Sequence, residues 1–365
     1  MLRVGIVGLP NVGKSTLFNA LTGAGIPAEN YPFCTVEPNL GIVEVPDPRL
    51  QAIQRLTASP RTVSAHIQFV DIAGLVEGAS EGEGLGNQFL AQVREVDAIA
   101  HVLRCFDNPD VTHVMGTADP VRDKRVVETE LALADLETLA RRKEKVEKKA
   151  RSGEADARRE VALLDRLLEA VSQGQPLRRT HLPAADASLA STLQLLTAKP
   201  VLFVANASEA GMEEDPEGIE GIRAEEGGGG EKSGLIKICA EMEAELVSLD
   251  PAERKEFLSA LGWKDAGLER LIRAAYELLG LLTFFTSNEK ETRAWTVPHG
   301  TLAPEAAGKI HTDFQRGFIR AETIGFRTLE EAGSLKVARE RGTVRSEGRT
   351  YEVKDGELIL FRFNV

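Results

Sequence analysis

Short apolar runs alternate with longer amphipathic segments over much of the chain. Apolar runs over 2–7, 67–71, 97–106, 201–205 and 235–240 predict buried strands, because polar residues do not alternate with the apolar ones as they do in a half-exposed strand. Segments between the runs place apolar residues at intervals of three and four, which predicts helices, and a closing helix is predicted over 267–282, after the last of these runs. Buried strands that alternate with helices are typical of an α/β domain with a parallel sheet.

Two amphipathic helices are predicted between the third and fourth of these strands. The first covers 126–153 and the second covers 160–172, with a glycine turn near 152–153 between them. This arrangement predicts an antiparallel helical hairpin or a short coiled coil, inserted at 121–199. The basic run over 141–149 is either a solvated helix face or the RNA-contacting part of a projecting arm.

The last part of the chain has a different pattern. Apolar runs over 282–286, 291–297 and 357–363 predict strands, and a helix is predicted to start at Thr312. The stretch 282–365 therefore predicts a small ubiquitin-like α+β domain. The expected division is a nucleotide-binding domain made of 1–120 and 200–281, the helical insertion, and this C-terminal domain.

The turn between the first strand and the first helix carries the clearest chemistry. It reads Gly-Leu-Pro-Asn-Val-Gly-Lys-Ser over 8–15, a phosphate-binding P-loop in its strand-turn-helix context. Glycines let backbone N–H groups point at phosphate oxygens, and the helix N-terminus adds partial positive charge. Lys14 is expected to reach the β- and γ-phosphates as a catalytic cation, and the Ser15 hydroxyl to ligate Mg²⁺. The nucleotide-contacting set predicted here is Asn11, Val12, Gly13, Lys14, Ser15 and Thr16.

Two further segments match the parts that surround a P-loop in switch proteins. Thr35, in a turn-rich loop, is the candidate second hydroxyl ligand of Mg²⁺, although a lone loop threonine is commonly polar filler. Asp71 ends a predicted strand and is expected to hold Mg²⁺ through water, while Gly74 offers its N–H to the γ-phosphate. The next residue, Leu75, stands where many GTPases have a water-orienting glutamine, and leucine cannot orient water. His113, in a polar loop, is the candidate replacement, against the alternative of a solvated loop histidine.

The segment after the fourth strand indicates which base is bound. It reads Asn206-Ala207-Ser208-Glu209, whereas guanine-specific proteins of this layout have Asn-Lys-x-Asp. Two of the positions that recognise guanine are therefore altered. A buried polar group left unpaired costs about 1–3 kcal/mol, so these changes favour ATP over GTP. Cys239 and Ala240 stand where related GTPases use Ser-Ala to meet the base through backbone N–H groups.

Composition and charge indicate where the protein is located and what it contacts. The chain has 365 residues, a net charge of −12 and three cysteines without a metal or disulfide spacing. No apolar run reaches a membrane span and the first residues lack a signal-peptide pattern, so we expect a cytoplasmic protein without membrane contact. Outside 121–200 and 280–365 the chain has 15 basic and 31 acidic residues, so any nucleic-acid contact is expected through those two near-neutral parts. The cysteines are either inert half-buried thiols or redox-sensitive groups.

Together these motifs resemble the YchF group of Obg-like ATPases. The resemblance rests on the P-loop, Asp71-Ile-Ala-Gly-Leu75, residues 82–89, Asn206-Ala-Ser-Glu209 and Thr296-Val-Pro-His-Gly-Thr301, and it spans nearly the whole chain. It implies an α/β P-loop NTPase domain, an inserted α-helical coiled-coil hairpin and a C-terminal TGS domain. It also implies ATP hydrolysis with Mg²⁺ and association with the ribosome. Separately, we expect contact with ribosomal RNA through the helical arm and the C-terminal domain, and a monomeric protein.

The resemblance adds two residue-level expectations. Asn11 matches the P-loop asparagine of potassium-stimulated relatives, which implies K⁺ as a second cofactor, and His113 matches the group's catalytic histidine. Two other functions stay open: an Obg-type GTPase, which the changes at Ala207 and Glu209 oppose, and a nucleotide-gated ribosome-binding scaffold with negligible turnover, which Leu75 supports.

Overall fold

The computed structural model describes residues 2–23, 39–74, 85–226 and 234–364. The chain divides into two compact units. The nucleotide unit comprises Leu2–Ile42 and Gln68–Leu271, and the C-terminal unit comprises Val43–Ile67 and the chain from Ile272 onward. The C-terminal unit is therefore built from two stretches that are far apart in the sequence. The domain boundaries expected from the sequence stay predictions.

Within the described residues the strands are β1 Arg3–Val7, β2 Leu40–Glu44, β3 Thr62–Val63, β4 His66–Asp71, β5 Ala98–Cys105, β6 Val201–Ala207, β7 Leu235–Ile238, β8 Leu281–Ser287, β9 Thr292–Pro298, β10 Phe318–Gly325, β11 Arg345–Glu347 and β12 Glu357–Phe363. The helices of the same residues are α1 Lys14–Gly23, α2 Pro48–Thr57, α3 Leu85–Glu95, α4 Pro120–Arg151, α5 Ala155–Ser172, α6 Ala184–Ser191, α7 Ile219–Glu225, α8 Ala240–Ser248, α9 Pro251–Ala260, α10 Gly267–Leu278, α11 Ala303–Ile310, α12 Thr312–Arg316, α13 Phe326–Ala332 and α14 Leu335–Glu340.

The first sheet has the order β2-β4-β1-β5-β6-β7. β1 pairs in parallel with β4 and β5, and β6 pairs in parallel with β5 and β7. The central strands are buried along nearly their whole length, which is why they read as continuous apolar runs. Because the strands are parallel, the loops after β1, β4, β5 and β6 leave the same edge of the sheet, and ligands of open α/β sheets bind at that edge.

Helices α4 and α5 pack along each other and are joined by only three residues, 152–154. Their common core includes Leu139, Leu163, Leu164 and Leu167. α4 begins at Pro120, earlier than the predicted start at 126, because the Asp119 side chain caps the helix by accepting the N–H of Arg122. The pair of helices was predicted; its classification as a coiled coil stays a prediction.

The second sheet has the order β11-β10-β12-β8-β9-β3. β8 and β9 pair antiparallel, and β3 joins the edge beside β9 in parallel with Thr62 opposite Thr292. Its core includes Phe284, Val297 and Phe361. The helix predicted from Thr312 is confirmed as α12, which is a single short turn. Two corrections are needed: the helix predicted over 267–282 ends at Leu278, and α11, β10, α13, α14 and β11 were not predicted.

Among the described residues, no helix combines the length and the apolar character that crossing a membrane requires.

Candidate functional site

The P-loop connects β1 to α1, and two of its glycines are required by close contacts. A Cβ on Gly8 would lie 2.5 Å from the carbonyl oxygen of Val102 in the neighbouring strand β5. Gly13 has φ +95°, and a Cβ there would collide with the amide nitrogen of Asn206. Only glycine fits both positions without displacing the surrounding backbone and side chains. The residues of the sequence motif therefore form a closely packed loop at the edge of the sheet.

Lys14 begins α1 and is buried inside the loop that precedes it. Its Nζ atom donates to the carbonyl oxygen of Leu9 over 2.7 Å. Burial lowers the pKa of Lys14 to about 8, and the nearby carboxylate of Asp71 opposes this shift. A lysine that lacks a full set of anionic partners in this position is suited to receive a phosphate group. Gly74 lies beside it, because a Cβ added to Gly74 would stand 3.1 Å from Nζ.

Ser15 and Asp71 lie together next to this lysine. The Ser15 hydroxyl is 3.3 Å from Oδ2 of Asp71, and Oδ1 of Asp71 is buried without a hydrogen-bond partner among the described residues. Burial raises the pKa of Asp71, opposed by the charge of Lys14 and the hydrogen bond from Ser15. A hydroxyl beside a carboxylate with a vacant lone pair is the oxygen chemistry that Mg²⁺ prefers, so the residues present fit this cation. Thr35, the other predicted ligand, lies outside the described residues, as does Leu75.

A cavity of about 340 Å³ opens beside the P-loop. Eight of the predicted contact residues line it, namely Asn11, Gly13, Lys14, Ser15, Thr16, Asn206, Ala207 and Ala240. Val12, Gly74, Glu209 and Cys239 are described residues that are not part of this lining, and the Glu209 side chain is exposed. The lining also includes residues that were not predicted, which are Phe106, Asp107, Asn108, Val111, Ser208 and Glu241. The cavity thus connects the phosphate loop with the segments that follow β5, β6 and β7.

Asn206 joins three of these segments. Its Nδ2 atom donates to the carbonyl oxygen of Val12 over 2.9 Å, and its Oδ1 atom accepts the N–H of Ala240 over 3.0 Å. The side chain is buried, so both bonds are made away from water. Asn206 therefore fastens the P-loop to the start of α8, a role that the sequence comparison with guanine-binding motifs did not predict. Whether it also contacts a base stays a prediction.

Arg104 is a buried residue of the site that sequence reasoning missed. Its guanidinium donates to the carbonyl oxygens of Asn11, Phe106 and Asn108 over 3.3, 3.1 and 3.3 Å. It also stacks over the Phe106 ring, with 4.6 Å between Cζ and the ring centroid. The signal in the sequence was an arginine inside a mostly apolar strand. Together with the bond from Nδ2 of Asn11 to the carbonyl of Thr112, Arg104 fastens the 106–113 loop to the P-loop.

His113 ends this loop, and its ring is buried rather than solvated. Its Nε2 atom lies 2.8 Å from Oδ2 of Asp123, and its Nδ1 atom accepts the N–H of Met115 over 3.1 Å. His113 is not part of the lining of the cavity described above. Its predicted catalytic role stays a prediction, and in the arrangement seen here the ring faces the start of α4.

The two described cysteines have the character of structural thiols. Burial, followed by the charge of Asp123, raises the pKa of Cys105 to about 12, and burial also raises the pKa of Cys239. A high thiol pKa leaves little thiolate to react near neutral pH, which favours the inert reading for these two residues. Cys34 lies outside the described residues.

Comparison with known proteins agrees with this picture. A family model described as a 50S ribosome-binding GTPase matches residues 3–124, and the YchF-GTPase_C model, described as a protein of unknown function, matches residues 281–364. Proteins named ribosome-binding ATPase YchF from Escherichia coli O157:H7 and Bacillus subtilis strain 168 are each 50% identical to this chain. Both alignments cover 100% of this chain, and they cover 99% and 100% of those proteins, respectively.

Solved structures show the same architecture. The structure of the Schizosaccharomyces pombe YchF GTPase superposes with a TM-score of 0.88 at 34% identity, covering 99% of this chain and 97% of that one. A GTP-binding protein from Pyrococcus horikoshii OT3 shares the fold, with a TM-score of 0.59 at 21% identity and 100% of both chains covered. The fold and the site define a P-loop nucleotide-binding protein of the GTPase type with an added C-terminal domain. Within that class, the full-length identity to its relatives shows that the chain belongs to the YchF family.

Proposed function

We propose that this protein is a Mg²⁺-dependent ATPase that changes conformation with its nucleotide and associates with the ribosome. One observation carries the choice of ATP: an intact phosphate loop faces a base segment in which Ala207 lines the cavity and Glu209 replaces the guanine-reading aspartate. The relatives named ribosome-binding ATPase support the same activity and partner. The proposal places the protein in the cytoplasm, as a monomer.

We assign binding of the nucleotide's phosphate groups to residues in the P-loop and at the start of α1. Backbone N–H groups of Val12, Gly13 and Thr16 bind phosphate oxygens, and Lys14 gives up its bond to the Leu9 carbonyl to contact the β- and γ-phosphates. Ser15 and Thr35 would hold Mg²⁺ directly and Asp71 would hold it through water. The bound ion would supply positive charge to the phosphate oxygens.

Other parts of the site complete this assignment. Gly74 donates its N–H to the γ-phosphate, as expected for a glycine that lies beside Lys14. Asn206, Ala207 and Ala240, which line the cavity, are assigned to the base, and Glu209 and Cys239 are assigned to it from outside that lining. The Oδ1 atom of Asn11 is proposed as a ligand for K⁺, while its Nδ2 atom stays bonded to the Thr112 carbonyl.

Water activation is assigned to His113, since Leu75 cannot orient a water molecule. A general base needs a free lone pair within hydrogen-bond distance of the water. The His113 ring must therefore turn from its contacts with Asp123 and Met115 toward the γ-phosphate before it acts. This requirement makes hydrolysis dependent on a movement of the 106–113 loop.

The two appended parts are proposed as the ribosome-contacting parts. We assign a coiled-coil hairpin to α4 and α5, and a TGS domain to the chain from 282 onward. The run 141–149 and the exposed arginines of the C-terminal unit suit contacts with ribosomal RNA, because phosphate groups attract basic side chains.

Titration calorimetry of the nucleotide-free protein tests the nucleotide choice. We expect a non-hydrolysable ATP analogue to bind at least about tenfold more tightly than the GTP analogue in Mg²⁺ and K⁺, a difference of about 1.4 kcal/mol. The double variant Ala207→Lys with Glu209→Asp rebuilds the guanine motif and should shift the preference toward GTP. Preference of the unchanged protein for GTP would instead assign an Obg-type GTPase.

Hydrolysis of ATP by His113→Ala tests the mechanism. Loss of a general base lowers the rate by about a hundredfold or more, whereas nucleotide affinity should be nearly unchanged. A rate equal to that of the unchanged protein would remove His113 from the mechanism. Absence of measurable turnover in the unchanged protein, with tight ATP binding, would favour the scaffold alternative.

A further inference from the structure

The contacts of His113 indicate which ring nitrogen carries the proton when the ring is neutral. A ring nitrogen that accepts a backbone N–H bond carries no proton of its own, so the bond from Met115 leaves Nδ1 unprotonated. The proton of the neutral ring is then on Nε2, where it is donated to Oδ2 of Asp123 over 2.8 Å. Both nitrogens are thus engaged, and the ring has no lone pair available to a water molecule.

The position of Asp123 explains why this arrangement is stable. The residue lies in the first turn of α4, and its side chain and that of His113 are each only 2% exposed. Its other oxygen, Oδ1, accepts from Nη2 of Arg122 over 3.0 Å. A buried carboxylate that has donors on both oxygens is held firmly, because loss of either donor leaves a lone pair unsatisfied away from water.

The pair connects a loop of the nucleotide site with the long helix α4. His113 ends the loop that Arg104 and Asn11 fasten to the P-loop. Asp123 belongs to the 32-residue helix α4, whose far end carries the basic run. A shift of the first turn of α4, or of this loop, would therefore alter the His113–Asp123 contact directly.

The geometry points to Asp123 as a latch that holds His113 in an inactive position. Opening of the His113–Asp123 pair is then the step through which the helical arm controls ATP hydrolysis. This inference rests on the proposed function, since it regulates the water-activating role assigned to His113. It assigns Asp123 a positioning role with an inhibitory effect. The side chain is not part of the cavity lining, and its removal lets the ring turn away from Met115, so that Nδ1 can offer its lone pair to water.

Single-turnover and steady-state ATP hydrolysis by Asp123→Ala test the latch. We expect kcat to rise at least about fivefold, the lower end of typical couplings between sites, while the affinity for a non-hydrolysable ATP analogue stays the same. Asp123→Asn preserves the shape and one acceptor oxygen, so it should give a smaller rise and a folded protein even if the alanine variant is unstable. The double variant His113→Ala with Asp123→Ala should show no rise above His113→Ala alone.

Asp119→Ala is the matched control. It removes an aspartate from the same helix start, whose side chain accepts the N–H of Arg122, and it leaves the His113–Asp123 pair in place. Its kcat should remain close to that of the unchanged protein. An equal rise in Asp119→Ala would overturn the latch, because the effect would then come from a loosened helix start.

A chemical readout that does not depend on activity separates the latch from a merely structural role. Carbethoxylation of histidines by diethyl pyrocarbonate, mapped by mass spectrometry, should modify His113 slowly in the unchanged protein and faster in Asp123→Ala. It should also be faster when the ATP analogue is bound.

The outcomes separate the two proposals. If His113→Ala loses hydrolysis but Asp123→Ala shows an unchanged or lower kcat, the latch is wrong and the proposed function stands. If His113→Ala hydrolyses ATP normally, the proposed mechanism itself fails and the latch fails with it.

Discussion

Lys14 is a basic residue whose side chain is buried. In the nucleotide-free protein its pKa is lowered to about 8 by burial, with only partial compensation from Asp71. Phosphate groups would restore the missing anionic partners and raise this pKa again, because a nearby opposite charge favours the charged form. The charge on Lys14 therefore depends on pH in the free protein and much less so in the complex.

This difference predicts a pH dependence of nucleotide affinity. Below about pH 8, Lys14 of the free protein already carries its proton, so nucleotide affinity does not change with pH. Above pH 8, nucleotide binding must take up a proton, and nucleotide affinity falls by as much as tenfold per pH unit. Calorimetry between pH 7.5 and 9.5, in buffers of different ionisation enthalpy, would detect the proton uptake. Lys14→Arg keeps its charge over this range and should lose the pH dependence. Constant affinity up to pH 9.5 in the unchanged protein would contradict the argument.

Asp135 shows how one buried carboxylate organises an element. It lies in the middle of α4, is fully buried, and accepts the N–H groups of Leu196 and Thr197, each over 2.8 Å. The Thr197 hydroxyl adds a third bond over 2.7 Å. These bonds attach the end of the helical insertion to its first helix, just before the chain returns to the sheet as β6.

Replacement of Asp135 by alanine is expected to destabilise this attachment. Three donors would lose their acceptor, and each buried unsatisfied group costs about 1–3 kcal/mol, so the loss should be about 3 kcal/mol or more. Hydrogen exchange followed by mass spectrometry should show faster exchange in peptides that contain Leu196 and Thr197. Asp165→Ala, which removes a surface ion pair with Lys143, is the control and should leave these amides protected. Unchanged protection in Asp135→Ala would contradict the prediction.

The C-terminal unit depends on a segment from the first fifth of the chain. Arg49, in α2, bonds to Asp47 over 2.7 Å and to Asp355 over 2.5 Å. Asp355 also accepts the N–H of Thr283 over 2.9 Å. Burial alone would raise the pKa of Asp355, but the hydrogen bonds from Arg49 and Thr283 outweigh it and lower the pKa. This ion pair joins stretches separated by more than 300 residues of sequence.

The lowered pKa gives the stabilising effect of Asp355 a predictable pH range. A carboxylate whose pKa is lower in the folded state stabilises above its unfolded pKa of about 3.9, and this contribution disappears as pH falls through the lower folded value. In urea unfolding, Asp355→Asn should therefore be less stable than the unchanged protein at pH 6, and the difference should shrink below about pH 4. In an Arg49→Met background the same difference should be smaller at pH 6. A difference that does not change between pH 6 and pH 3 would contradict this account.

The sequence by itself determined the features that depend on short stretches of chain. Buried runs predicted β1, β4, β5, β6 and β7, because a parallel strand covered on both faces needs apolar residues throughout. The P-loop was also predictable, since its glycines and its helix start are fixed by local backbone geometry. The strand that ends at Asp71 placed this carboxylate at the same sheet edge for the same reason.

Only the tertiary structure decided which distant side chains meet. No local pattern indicates that Asn206 braces the P-loop, that Arg104 binds three carbonyl groups, or that His113 is bonded to Asp123. Nor does any local pattern place 43–67 in the C-terminal unit. The physical reason is that periodicity and turn chemistry are properties of a few neighbouring residues. Hydrogen bonds and ion pairs between remote side chains depend on strand order and packing, which form only when the whole chain has folded.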